Sequence, residues 1–263
     1  MSVKNGSDKR RFVYAYQKRP SAKRRQTSRK HKKRKWIIVT EERKQQIVDN
    51  IARIKGELSV NPFGERVLLV AATKTRSVEE ICAAIEGGVD AIAENRAQEF
   101  RDKNDFLPPF PRHFIGSLQS NKLKYVVGKT QLIHSCDTLK LAEEISAFST
   151  RLGVVTNVLI EVNVGGETMK SGFPFSEAEA AYRFISGLPG VVPRGFMAML
   201  PRGVNEETGG AAVRKMRTLL DEIKRNDKSF DLLSMGMSGD YALCVKNGAN
   251  VVRIGTGIFG ERA

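Results

Sequence analysis

Cysteine is scarce in this chain. The three that occur in 263 residues, Cys82, Cys136 and Cys244, are scattered and form no CxxC pair. Isolated cysteines in odd number exclude a disulfide framework and argue against a zinc site, and they fit a reducing cytoplasm. Long hydrophobic runs are also missing. The longest apolar stretch, Val67 to Ala72, is far short of the roughly 18 residues that a membrane span requires. Residues 1–35 contain no continuous apolar core, so no secretory signal is read there. Among catalytic signatures, HExxH, GxSxG and paired nucleophile–base motifs are all absent.

Positive charge is abundant, with 44 Lys and Arg against 29 Asp and Glu, but it is unevenly spread. Residues 1–35 hold 15 Lys or Arg against the single acid Asp8, leaving 29 bases and 28 acids in the rest. A nearly neutral body is therefore joined to a basic tail at 1–40. Two readings stand for that tail. Phosphate contacts that release counterions would let it hold RNA or another polyanion. Alternatively it is a solvated, disordered arm, or an upstream stretch included by a misplaced start codon, because blocks of like charge repel and stay unfolded. The second is the expectation, so nucleic acid is not an expected partner.

Residues 41–263 read as one domain. Glu41 to Leu58 form an amphipathic helix, with Ile47, Ile51 and Ile54 at spacings of four and three and Thr40 as N-cap. Eight short β-branched runs follow, at 67–73, 89–93, 113–118, 131–135, 157–164, 192–199, 231–235 and 250–255. Helical patterns lie between them: 78–86, 97–103, 121–127, 139–151, 177–185, 211–224 and 241–246. Alternation of this kind indicates parallel βαβ units. Eight strands is the number that closes a (β/α)₈ barrel of the TIM type, so an α/β barrel with an extra N-terminal helix is expected.

Function in such a barrel sits at the C-terminal strand ends, and the loops after the last two strands often cradle a phosphate. Those loops here are Ser234-Met-Gly-Met-Ser-Gly-Asp240 and Arg253-Ile-Gly-Thr-Gly-Ile-Phe-Gly260. Ser238 is placed to cap the next helix, Gly255 permits close approach, and Thr256 supplies a hydroxyl and an N–H. Each glycine-rich loop can equally be a simple strand terminus. Lys74 closes the first strand, where partial desolvation favours the neutral, nucleophilic amine; Lys170, after the fifth, competes with it. Alternation puts Arg253 on the face of Val251. There it forms either a buried salt bridge or a hydrogen bond to a cofactor ring nitrogen. Asn95 ends the second strand within reach of a ligand. His134 is read as a core histidine or an acid–base group, and His113, at the start of its strand, as lying at the wrong end of the barrel.

At these residues the sequence resembles the pyridoxal phosphate homeostasis proteins, the YggS/PROSC family, from about Glu41 to Arg262. The resemblance rests on ATKT at 72–75, ENRAQE at 94–99, HFIGSLQSNK at 113–122, IHSCD at 133–137, KSGF at 170–173, LSMGMSGDY at 233–241 and VRIGTGIFGER at 252–262. Small departures occur at Thr73, where Ser is usual, at Arg76-Ser77, where Lys-Pro is common, and at Ala93, where Gly often precedes Glu-Asn.

The resemblance implies a monomeric, cytoplasmic barrel like the N-terminal domain of alanine racemase, binding pyridoxal 5′-phosphate (PLP). Lys74 matches the Schiff-base lysine and Arg253 the arginine facing the pyridine nitrogen. Met237, Ser238, Gly255 and Thr256 match the phosphate-binding loops, and Asn95 a residue near the cofactor. The implied role is balance of the vitamin B6 pool without committed turnover, with PLP-dependent apoenzymes as possible recipients. An amino-acid racemase of the same barrel type is the alternative. Racemisation needs a base on each face of the substrate carbon, and a chain ending at Ala263 is expected to leave one face open to water.

Overall fold

Short runs of β-branched and small apolar residues that are buried on both faces suit a parallel sheet covered by helices. The computed structural model describes residues 39–58, 60–166, 171–201 and 203–261; the basic stretch at 1–35 and Lys170 lie outside them. The strands are β1 (Leu68–Ala72), β2 (Ala91–Glu94), β3 (Arg112–Phe114), β4 (Leu132–Cys136), β5 (Thr156–Asn163), a two-residue β6 (Phe173–Pro174), β7 (Val191–Ala198), β8 (Leu232–Ser234) and β9 (Val251–Ile254). All pair in parallel, in the order β4-β3-β2-β1-β9-β8-β7-β5, and β4 also pairs with β5, which closes the ring. β6 adds only a short pairing to β5. Eight strands thus form the barrel.

Alternation along these strands divides the core in two. Val70, Ala91, Ala93, Leu132, Leu159, Met197, Leu232 and Val251 pack against one another inside the barrel. The alternate residues Leu69, Ala71, Ile92, Val252 and Ile254 point outward and pack with helix residues. α1 (Glu41–Glu57) contributes Ile47, Ile51 and Ile54 to that outer layer, each fully buried. Thr40 caps it as the sequence predicts, accepting from Arg43 N at 3.2 Å. The outer ring continues with α2 (Val78–Glu86), α3 (Ala97–Asn104), α4 (Leu123–Val126), α5 (Leu139–Leu152), α6 (Ala178–Ser186), α7 (Glu206–Asn226), α8 (Tyr241–Lys246) and α9 (Thr256–Phe259).

Three departures from the sequence reading have a cause visible in the structure. β2 starts two residues later because Asp90, whose N–H still donates to Leu69 O at 2.9 Å, meets Leu69 N with its carboxylate, at 2.8 Å, rather than with backbone. β3 ends at Phe114 because the chain turns toward Asn95; a Cβ on Gly116 would lie 1.9 Å from the Asn95 carbonyl oxygen. α7 begins five residues earlier than expected, at Glu206, where the Asn205 side chain accepts from Thr208 N at 2.8 Å. That cap, with burial of Val213, Met216 and Leu220, outweighs the poor helix propensity of two glycines.

Below the strand N-termini, Glu65 ties the segment before β1 to α7 and to the start of β9. Its carboxylate accepts from Arg217 Nη2 at 3.0 Å, Lys224 Nζ at 2.7 Å and Asn250 Nδ2 at 3.1 Å. Burial by itself would raise the Glu65 pKa, but the bonds from Arg217, Lys224 and Asn61 win and lower it to about 2. A carboxyl whose folded pKa lies below its unfolded value stabilises the fold above the unfolded value and loses that contribution on acidification. Glu65 should therefore contribute fully at neutral pH and fade between pH 4.5 and about 2. Glu65→Gln should lose roughly 2–3 kcal/mol at pH 7, since Arg217 is left buried with a weaker partner, and the gap from wild type should close near pH 2. Urea unfolding across that range measures it; an equal loss at all pH values would show that the charge is irrelevant.

Candidate functional site

Because every strand runs in the same direction, the residues that follow each one collect at a single end of the barrel. Lys74, Asn95, the loop at 235–240 and Gly255-Thr256 all sit there. Register draws two of them closer: β1 lies directly beside β9, with Val70 opposite Arg253, and a Cβ on Gly255 would come within 3.6 Å of the Ala72 Cβ. Arg253 lies deeper in the barrel than Lys74, under the mouth that Lys74 borders.

Lys74 occupies a tight turn in which Arg76 N donates to Thr73 O at 3.1 Å. Thr75, the next residue of that turn, has φ +66°, the sole positive φ outside glycine among the described residues. Type II turns need positive φ at this position and normally use Gly or Asn; a β-branched residue there is strained by about 1–3 kcal/mol. The neighbouring ENRAQE segment meets the strain. Thr75 N donates to Glu99 Oε2 at 2.8 Å, Thr73 Oγ1 donates to Glu94 Oε1 at 2.7 Å, and Lys103 Nζ donates to Glu94, Glu99 and the Thr73 carbonyl at 2.6, 3.0 and 3.0 Å. Burial pushes the Glu94 carboxyl up, against the pull of Lys103.

The loops after β8 and β9 are joined to each other. Gly236 holds φ +107°, which only glycine adopts comfortably. Ser238 does not cap α8 as the sequence suggests; its Oγ accepts from Gly257 N at 3.0 Å instead, leaving its own proton free to donate. Met237 is exposed, and its N–H is taken by Asp240 Oδ1 at 2.6 Å. Thr256 is exposed at the start of α9. Asn95 is half-buried, and its Oδ1 has no hydrogen-bond partner among the described residues.

Arg253 is buried inside the barrel, on the face of Val251 as alternation requires. It makes no ion pair among the described residues: Nη1 donates to Ser234 O and Oγ at 2.7 and 2.6 Å, and Nη2 to Ala198 O at 3.3 Å. Burial lowers its pKa to about 10, with Glu161 opposing, so the guanidinium remains charged at neutral pH. Glu161, on β5, is itself pushed up to about 7 by burial, aided by Asp137 and opposed by Arg253.

From Ser234 a buried chain continues to two histidines. Ser234 Oγ lies 3.0 Å from His134 Nδ1, and His134 Nε2 lies 3.0 Å from His113 Nδ1. Ser234 Oγ accepts from Arg253 and keeps one proton and one further lone pair, so it pairs with either tautomer of His134; whichever nitrogen of His134 carries the proton sets the direction of the bond to His113. His113 therefore belongs to the barrel interior rather than the far end: Ala93 and Leu132, its partners on the flanking strands, both pack inside. Burial lowers His113 to about 4 and holds His134 well below 6.5, with His113 and Arg253 adding to the latter.

Sequence reasoning singled out Lys74, Arg253 and the two glycine loops, which the fold brings to one end of the barrel, but gave no role to Ser234, Glu161 or the Lys103 cluster and set His113 at the far end. The Glu99–Lys103 spacing of four was the available signal for the last. A cavity of about 10 Å³ lined by Thr73, Glu94, Phe100, Lys103 and Leu107 lies behind β2. It has room for no more than one water and belongs to the packing of α3.

Residues 43–263 match the family described as alanine racemase, N-terminal domain. The pyridoxal phosphate homeostasis protein of Aquifex aeolicus is 42% identical over 197 residues, covering 74% of this chain and 86% of that protein. Its counterpart in Vibrio alginolyticus is 37% identical over 205 residues, covering 75% and 88%. The structure of PipY from Synechococcus elongatus with PLP bound superposes with TM-score 0.71 at 30% identity, over 81% of this chain and all of that one.

Neutral, buried histidines have a measurable consequence. NMR of imidazole nitrogens should show neither His113 nor His134 titrating from pH 8 to 5, and reads directly which nitrogen of His134 carries the proton. Unfolded histidines titrate near 6.5, so both stabilise the fold above that value and withdraw support as pH falls below it, His113 by about 4. His134→Phe should lose roughly 1–3 kcal/mol by stranding Ser234 and His113. An imidazolium signal at pH 6 would contradict the chain as drawn.

Proposed function

The chain belongs to the pyridoxal phosphate homeostasis protein family, and we propose that it binds PLP through a Schiff base on Lys74 and holds it without committed turnover. The observation that carries this reading is the meeting, at one barrel end, of a lysine, two joined glycine loops and a buried cationic arginine. PLP supplies an aldehyde that condenses with an amine and a pyridine ring that withdraws electrons. The residues present fit such a group: Ser238, Gly255 and Thr256 offer N–H and hydroxyl donors to a phosphate, with Met237 flanking it. The partnerless Asn95 Oδ1 lies at the same rim.

Lys74 provides the nucleophilic amine, and its turn delivers that amine to the mouth. Arg253 would hold the ring nitrogen of a bound PLP, and because its guanidinium keeps its proton at neutral pH it would donate there and leave that nitrogen unprotonated. An arginine partner also occurs in PLP enzymes, so holding and racemisation are told apart by the exchange of α-deuterium rather than by Arg253. Residues 41–263 form the PLP-binding domain, which acts as a cytoplasmic monomer in vitamin B6 balance, with PLP-dependent apoenzymes as recipients. No described helix is long and apolar enough to cross a membrane.

Mixing the protein with PLP should produce a visible absorbance band, and borohydride reduction followed by peptide mass analysis should place the adduct on Lys74. Lys74→Ala should lose both signals; an adduct on Lys170 instead would move the anchor. α-Deuterated amino acids should keep their label over many hours, whereas exchange at enzyme-like rates of about 1 s⁻¹ or more would establish a racemase-type enzyme.

A further inference from the structure

We infer that Glu99 and Lys103, with Glu94, are the positioning residues that set where the Lys74 amine stands, by holding Thr75 in a backbone conformation it would otherwise leave. The inference rests on the Lys74 reading above. It starts from an oddity of residue type: position three of the 73–76 turn has φ +66° yet carries threonine. If the turn needed only to reverse the chain, glycine would serve without strain. Strain of this kind persists only where the surroundings over-determine the backbone.

The surroundings do so at three points, two on Thr73 before Lys74 and one on Thr75 after it. Glu99 Oε2 accepts the Thr75 N–H, Glu94 Oε1 accepts the Thr73 hydroxyl, and Lys103 Nζ donates to the Thr73 carbonyl. Lys103 also bridges the two carboxylates, at 2.6 and 3.0 Å, so the three anchors move as one body. The base of this body is rigid. Glu94 ends β2, in register with Phe114 of β3, while Glu99 and Lys103 share a face of α3 at i,i+4. Lys103 is 13% exposed and Glu94 7%, so water does not dissolve that ion pair, which anchors Glu99 where it meets Thr75 at the surface. Relaxing Thr75 would rotate the peptide that follows Lys74 and swing its side chain relative to the loops after β8 and β9, which are fixed to each other independently. A displacement of about 1 Å is enough to lower a rate by up to 100-fold.

The test separates positioning from support of the fold. In the full-length chain with PLP as probe, Glu99→Ala should slow appearance of the borohydride-trappable Lys74 adduct by about 10-fold or more, and Lys103→Met should do likewise. Glu99→Gln keeps an acceptor for Thr75 N–H and should stay within about threefold of wild type. Thr75→Gly needs no clamp, so the double variant Glu99→Ala/Thr75→Gly should recover to within about threefold, a non-additive rescue. Without PLP, Thr75→Gly should raise the melting temperature of Glu99→Ala by about 2–6 °C. A second arm follows labelling of Lys74 by an amine-acetylating reagent, read by peptide mass. Should PLP form no adduct with any variant, the functional reading fails while this arm still reports the clamp. Equal adduct and labelling rates in wild type and Glu99→Ala, or absence of rescue by Thr75→Gly, would overturn the inference.

Discussion

Parallel pairing of β1 with both β2 and β9 is the constraint from which the site follows. One neighbour brings the ENRAQE segment against the Lys74 turn, and the other brings Arg253 and the Gly255 loop beside Ala72. Antiparallel strands would send these residues to opposite ends. In a closed parallel ring they share one mouth, and closure between β4 and β5 leaves no exposed edge in the ring.

A charged arginine inside a barrel needs a reason to be tolerated. Arg253 is satisfied by two carbonyls and a hydroxyl rather than by a carboxylate. That choice has a chemical consequence: among the described residues no carboxylate forms an ion pair with the guanidinium, although Glu161 lies close enough to act on it through space, and its donors face neutral oxygens. The serine and histidine chain behind it is neutral, linked by hydrogen bonds of 3.0 Å at each step. Such a chain holds the arginine in one orientation while adding no buried charge.

Much of the fold was legible because its signals are local. Ile47, Ile51 and Ile54 recur with helical spacing, and all three are fully buried. The eight strand runs are short, β-branched and bounded by turn residues, and each appears within two residues of its expected start. Misjudged boundaries arose where a long-range contact overrode the local pattern, as at Asp90 and at Gly116 against Asn95. Within the site, Lys74 and the glycine loops were readable because strand-end position is itself a local property. His113 was misplaced because its partner is 21 residues away on another strand, and Ser234 joins them across 100 residues.

Lys74 marks the division. By itself the sequence determined that a lysine closes the first strand, that glycine loops follow the last two, and that Arg253 alternates onto the inner face. It also carried the ordered motifs of a PLP homeostasis family. Only the tertiary structure decided that Thr75 is held at positive φ, that Lys103 ties three acceptors around the turn, and that Arg253 leans on a serine and two neutral histidines. The physical reason is range. Periodicity and turn chemistry act over a few residues, whereas strain and buried hydrogen bonds depend on groups that meet only when the barrel closes.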